Sequence, residues 1–126
     1  MLKVGSYVKV ADNTGALQAQ IIGVFGGSKF KSIGIARIVK VAIKKAKPDG
    51  SVKEHEMHRA VVVRVRKEYR REDGTYIRFD DNAVVILDGE TKFPKATRIF
   101  GPVARELKAY GFDKITQLAP EVLWEN

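Results

Sequence analysis

The chain has 126 residues, with 23 Lys/Arg against 15 Asp/Glu and a formal charge of +8. That length holds one domain with a real core and excludes two full-sized ones, while 44% apolar and 30% charged residues exclude wholesale disorder. The lack of cysteine excludes disulfides and thiolate metal sites, and no uninterrupted apolar run approaches the ~20 residues of a membrane-spanning helix.

Charge is distributed unevenly. Residues 1–79 carry 17 Lys/Arg and 7 Asp/Glu, whereas residues 80–126 carry 6 and 8. A basic surface on the first two-thirds points to a polyanionic partner, because each cation set against a phosphate releases condensed counterion. The opening MLKVGSYVKV alternates like a strand over Tyr7 to Val10 and lacks the apolar core of a signal peptide, so the chain is expected to be soluble and to work where it is made.

The turn ADNTG at Ala11 to Gly15 leads to a second alternation, Leu17, Ala19 and Ile21 against Gln18 and Gln20. Gly26-Gly27-Ser28 then makes a glycine loop from which Lys29 and Lys31 can approach an RNA backbone. This loop lacks the Lys-Ser/Thr ending of a phosphate-binding loop. Val39, Val41 and Ile43 alternate against Lys40 and Lys44 before the turn KPDGS at Lys47 to Ser51.

In EHEMH, His55 and His58 stand three apart, not the four of a zincin helix, and neither metal site nor cofactor is expected. Val61, Val63 and Val65 alternate against Arg64 and Arg66, and Tyr76 to Phe79 and Ala83 to Leu87 complete the set. Short strands separated by turn chemistry read as a closed or nearly closed barrel.

Arg64 to Phe79 reads as a hairpin about Asp73-Gly74. With those two residues at the centre of a primed turn, facing residues have numbers summing to 147, so Val61 faces Ile86 and Tyr69 faces Arg78. One face then runs from Val61, Val63 and Val65 into Lys67, Tyr69 and Arg71. A core cannot continue into unpaired charges, so the ribbon is expected to leave the barrel near Val65. In this register Arg66 also falls opposite Asp81, as a candidate ion pair.

The pattern changes after Pro94. GPVARELKAYG has proline early and glycine at its end, with Val103, Leu107 and Tyr110 on one helical face; a second helix is expected over Asp113 to Leu118, ahead of Pro120. The chain is thus a single domain, 1–126. Residues 1–93 form the barrel, with the ribbon at about 64–79, and 94–126 form a C-terminal part with two short helices.

From Ala60 to Ile86, AVVVRVRKEYRREDGTYIRFDDNAVVI resembles the signature of the family of ribosomal protein fourteen of the large subunit. VADNTGA, the glycine loop, TRIFGPVAREL at Thr97 to Leu107 and LAPEVL at Leu118 to Leu123 resemble the same family, so nearly the whole chain is covered. The chain departs from the pattern at Ala36-Arg37 and His55-Glu56, where relatives commonly carry Gly-Asp. It also departs at Lys53-Glu54, at Lys95-Ala96 and in the extension Trp124-Glu125-Asn126.

The resemblance implies a mainly β fold: a five-stranded β-barrel with a projecting β-ribbon and a small C-terminal helical part. It implies a non-enzymatic structural component of the large ribosomal subunit, in a bacterial-type cytoplasmic ribosome or in an organellar one. The implied partners are large-subunit rRNA, small-subunit rRNA across the subunit interface, ribosomal proteins three and nineteen, and the ribosome silencing factor. Cationic and aromatic character makes Lys29, Lys31, Lys45, Lys53, Arg64, Arg66, Lys67, Tyr69, Arg70, Arg71 and Arg78 the candidate RNA-binding residues. Thr97, Arg98, Ile99, Phe100 and Lys114 are the implied protein-partner surface. A free-standing single-strand-binding barrel is the alternative reading.

Overall fold

Short β-branched runs between turns form strands whose buried faces close on one another. The computed structural model describes residues 2–25, 33–71 and 73–123. In chain order the elements are β1 (Tyr7–Val10), β2 (Ala16–Val24), β3 (Ile38–Ala46), β4 (Met57–Arg64), β5 (Tyr69–Arg70), β6 (Tyr76–Ile77), β7 (Ala83–Ile86), β8 (Pro102–Ala104), α1 (Glu106–Ala109), α2 (Asp113–Leu118) and β9 (Glu121–Leu123). Strands β1, β2, β3, β4 and β7 close a five-stranded barrel in that order. Its neighbours are antiparallel except β1 and β7, which run parallel at the closure. The expected mainly β barrel with a small helical C-terminal part is what forms.

Alternation places Val8, Val10, Ala19, Ile21, Val39, Val41 and Ile43 inside the barrel, where they meet Ala60, Val62, Val84 and Ile86. Each of the valines and isoleucines contributes about 1.5–3 kcal/mol by leaving water, and each alanine less. Strands β4 and β7 do not alternate, because both of their faces are buried. Their outer residues Val61, Val63, Ala83 and Val85 lie beneath Ile99, Val103, Leu107, Phe112 and Ile115 of the C-terminal part. The continuous AVVV and AVVI runs are therefore the imprint of a second core on the outside of the barrel.

Three corners of the barrel use one device. Gly5 N donates to Ile21 O at 2.7 Å and Ile21 N to Ser6 O at 2.9 Å. The same two-against-one exchange links Ala36 and Arg37 to Val62, and His55 and Glu56 to Ile43. These are β-bulges whose first residue is left-handed, and φ is 99° at Gly5, 68° at Ala36 and 71° at His55. Ala36 and His55 thus occupy a conformation that suits glycine.

The turns at 11–15 and 47–51 pack back to back. A Cβ on Gly15 would lie 2.5 Å from Gly50 Cα, so the contact requires bare backbone on both sides. Asp12 ties this corner to the barrel: its carboxylate accepts from Thr14 N, from the Thr14 hydroxyl at 2.6 Å and from Ile86 N at 2.9 Å. Burial pushes the Asp12 pKa up, against the lowering effect of these bonds.

Several expectations are corrected. The expected sum of 147 holds where Arg64 faces Ala83, but a register shift between Val62 and Arg64 brings Val61 opposite Val85, and in the ribbon Tyr69 faces Ile77, both with a sum of 146. In the ribbon the reason is a loop closed by Arg71 N donating to Thr75 O at 2.8 Å, with Gly74 at φ 89°. A one-residue slip moves every side chain of the partner strand to the other face. Leu17 is not part of the inward row but 48% exposed, because a register shift between Ala16 and Gln18 turns it outward. Within the first expected helix, Pro102–Ala104 is instead strand β8, paired in parallel with β9. With α1 reduced to a single turn, Tyr110 is 59% exposed rather than sharing a face with Val103 and Leu107. Helix α2 occupies the expected Asp113–Leu118.

Candidate nucleic-acid interface

The ribbon β5–β6 is a two-stranded sheet separate from the barrel, and its two faces have different fates. Tyr69, Arg71 and Ile77 turn toward the C-terminal part. Arg71 Nε donates to Glu106 Oε2 at 2.8 Å and its Nη2 to Oε1 at 3.2 Å, with the Arg71 side chain only 1% exposed. The Tyr69 hydroxyl donates to the same carboxylate at 3.2 Å. Burial, reinforced by the Glu106 charge, pushes the Tyr69 phenol up to about 12, so it stays a donor across the physiological range.

Arg105 Nη2 reaches Asp73 Oδ2 at 3.0 Å and fastens the ribbon tip to the same segment. Bonds from the Thr75 hydroxyl and N–H, then from Arg105, hold the Asp73 carboxyl far below its usual range.

The opposite face carries Arg70, Tyr76 and Arg78, all exposed. Lys67 is exposed at the ribbon's base, and Arg66 beside it has its N–H bound to Asn82 Oδ1 at 2.8 Å. Two arginines expected on this surface are internal. Arg64 Nε donates to Asp81 Oδ1 at 2.7 Å, while its Nη1 donates to Phe100 O at 2.8 Å and Pro102 O at 3.0 Å. Arg64, not Arg66, is thus the partner of Asp81. Buried Arg64 and Arg71 are joints between the barrel, the ribbon and the C-terminal part, because a buried guanidinium must find acceptors.

Elsewhere, Lys45 is exposed at the end of β3, and Lys53 donates to Pro48 O at 2.8 Å within its loop. Lys29, Lys31 and Trp124 lie outside the described residues. His58 and Glu56 face each other at 3.1 Å, and the Lys53 N–H and His58 hold the Glu56 carboxyl below its usual range.

On the expected protein-partner surface, Thr97, Arg98, Phe100 and Lys114 are exposed, whereas Ile99 is 4% exposed and belongs to the outer core. Asn13 orders this segment: its Oδ1 accepts from Thr97 N and Arg98 N at 3.1 Å, and its Nδ2 donates to Thr97 Oγ1 at 3.0 Å. The Arg98 guanidinium lies 6.0 Å from the Phe100 ring centroid.

Tyr7, Lys9 and Leu17 were not foreseen as surface groups acting together. They meet beside Lys45 and Arg66 on the outer barrel wall. The exposed positions of β1 hinted at Tyr7 and Lys9, but only the register brings them alongside the others.

The geometry is therefore that of a small barrel with a cationic outer surface and a ribbon held at a fixed angle, its interior arginines consumed by the fold. The ribosomal protein L14p/L23e family matches residues 1–123, which takes in the barrel, the ribbon and the C-terminal part alike. On that match, the chain belongs to the L14p/L23e family and is a structural component of the large ribosomal subunit.

Proposed function

We propose that the outward face of the ribbon, with Lys45, Lys53, Arg66 and Lys67, holds large-subunit rRNA through phosphate contacts that fix register without reading sequence. The observation that carries this reading is the division of the ribbon's cations. Arg71 is paired inside the fold, as is Arg64 where the ribbon leaves the barrel, while Arg70 and Arg78 project outward beside Tyr76. An outward face with two arginines and an exposed tyrosine suits an anionic, partly unstacked polymer. The glycine loop with Lys29 and Lys31 extends the proposed contact set.

The segment of Thr97, Arg98 and Phe100, with Lys114, is the proposed docking surface for the ribosome silencing factor. Contacts with small-subunit rRNA and with ribosomal proteins three and nineteen complete the proposal. The ribosome, of bacterial or organellar type, is the site of action.

The test is incorporation. Cells expressing Arg70→Gln/Arg78→Gln should show less of the protein co-sedimenting with large subunits, and the isolated chain should lose RNA affinity with a salt slope reduced by about 1 per removed phosphate contact. Unchanged incorporation and slope would remove the ribbon from the interface. For the second surface, Arg98→Glu should weaken silencing-factor binding while leaving incorporation intact, and undiminished binding would refute the assignment.

A further inference from the structure

Strand register sets Lys9, Gln18 and Lys45 side by side across the outer wall of the barrel, since Lys9 pairs with Gln18 and Gln18 with Lys45. Two residues back along β1, on the same face, Tyr7 is 56% exposed. Leu17, turned out by the register shift, adds an aliphatic surface next to Gln18. Asn82 closes the far side by accepting Lys9 N at 3.0 Å on its carbonyl and Arg66 N at 2.8 Å on its side chain. The result is a groove of about 400 Å³ lined by these groups together with Asp80 and Asp81, within the ~300–1,000 Å³ range of clefts that take small ligands.

The chemistry of the lining is specific. An aromatic ring and an aliphatic side chain lie beside three cations. Of the two carboxylates, Asp81 is already held by Arg64 at 2.7 Å and Lys9 at 3.6 Å. A flat base stacks on the ring, a phosphate sits between cations, and the Gln18 amide offers a donor and an acceptor to a base edge. Duplex RNA keeps its base faces inside the stack and would leave Tyr7 unused. An acidic peptide would meet the cations but has no planar face for the ring.

We propose that this groove receives one unstacked nucleotide of the bound RNA, its base against Tyr7 and Leu17 and its phosphate between Lys45 and Arg66. The proposal rests on the RNA-binding reading above and assigns a base pocket to what would otherwise be a purely electrostatic wall.

The experiment titrates the full chain with a single-stranded RNA hexamer carrying 2-aminopurine. Wild type and Tyr7→Phe should quench the probe on binding, Tyr7→Ala should bind roughly tenfold more weakly with the quench lost, and Lys45→Gln should lower the salt slope by about 1 while keeping the quench at saturation. Dimethyl sulfate probing of large subunits assembled with Tyr7→Ala supplies the second reading, in which one unpaired rRNA base should gain reactivity relative to Tyr7→Phe.

Equal affinity and quench for Tyr7→Ala, or an unchanged probing pattern, would overturn the nucleotide groove. A glutamate-rich peptide that displaces the hexamer and itself depends on Tyr7 would make the groove a protein surface instead. If Tyr7→Ala behaves as wild type while incorporation still depends on Arg70 and Arg78, only the groove falls. If the wild-type chain binds no RNA and incorporation is indifferent to those arginines, both readings fall.

Discussion

Arg71 and Glu106 are 35 residues apart in sequence and share two charge-assisted hydrogen bonds, at 2.8 and 3.2 Å, with the arginine side chain almost wholly excluded from water. The pair locks the ribbon onto the helical part and sets the angle at which Arg70 and Arg78 face outward. Replacing Glu106 by Ala removes both bonds and the acceptor of Tyr69 at once. The expected cost is about 3 kcal/mol, measured as a shift in the urea midpoint, because breaking one side of a buried pair strands charge in a poor solvent. A midpoint within error of wild type would show that the ribbon is held by other means.

Arg64 and Arg70 make a discriminating pair. Arg64 satisfies Asp81 and two backbone carbonyls, so Arg64→Gln should lower thermal stability by about 2–3 kcal/mol while leaving the salt slope of RNA binding alone. Arg70→Gln should do the reverse, with stability unchanged and the slope reduced. Differential scanning calorimetry and salt-dependent RNA titration on the two variants check both halves.

Ala36 sits at φ 68° in a bulge that elsewhere in this barrel is made by Gly5. A left-handed alanine costs roughly 1–2 kcal/mol, partly offset by the larger entropy of an unfolded glycine. Ala36→Gly should therefore stabilise the fold by about 0.5–1 kcal/mol. His55→Gly, at φ 71°, should move in the same direction. Equilibrium unfolding in urea decides it, and a destabilised Ala36→Gly would mean that the methyl group contributes packing that outweighs the strain.

Two aspartates respond to acid with opposite signs. The Asp73 carboxyl is held low by Thr75 and Arg105, so its contribution is present above the ordinary carboxylate pKa of ~4 and lost as pH falls through the depressed value. The advantage of wild type over Asp73→Asn should accordingly shrink as unfolding is measured from pH 7 down to strongly acid conditions. Asp12 is raised by burial, so its contribution is present below the ordinary value and lost as pH rises through the raised one. A wild-type advantage at position 73 that does not diminish in acid would contradict the Thr75 and Arg105 contacts as the source of the low pKa.

The barrel was legible in the residues because a strand with one wet face prints its period on the sequence: Val39, Val41 and Ile43 alternate with Lys40 and Lys44 whatever lies across from them. Helix α2 was legible for a similar local reason, since Pro120 stops it and Ile115 is its buried anchor. Hairpin register was not, because a loop of two residues and one of three are written with the same Asp-Gly, and the choice inverts every face.

Nor did composition distinguish Arg64 and Arg71 from Arg70 and Arg78. All four are arginines in one basic stretch, and whether each is a joint or a contact depends on carboxylates and carbonyls that arrive from Asp81, Phe100, Pro102 and Glu106. The sequence by itself determined the alternation, the turns, the concentration of positive charge and the family signature. Only the tertiary structure decided which cations are internal and which groups share a surface, because pairing across strands and burial beneath a distant segment are properties of the closed chain, fixed by contacts that no local window contains.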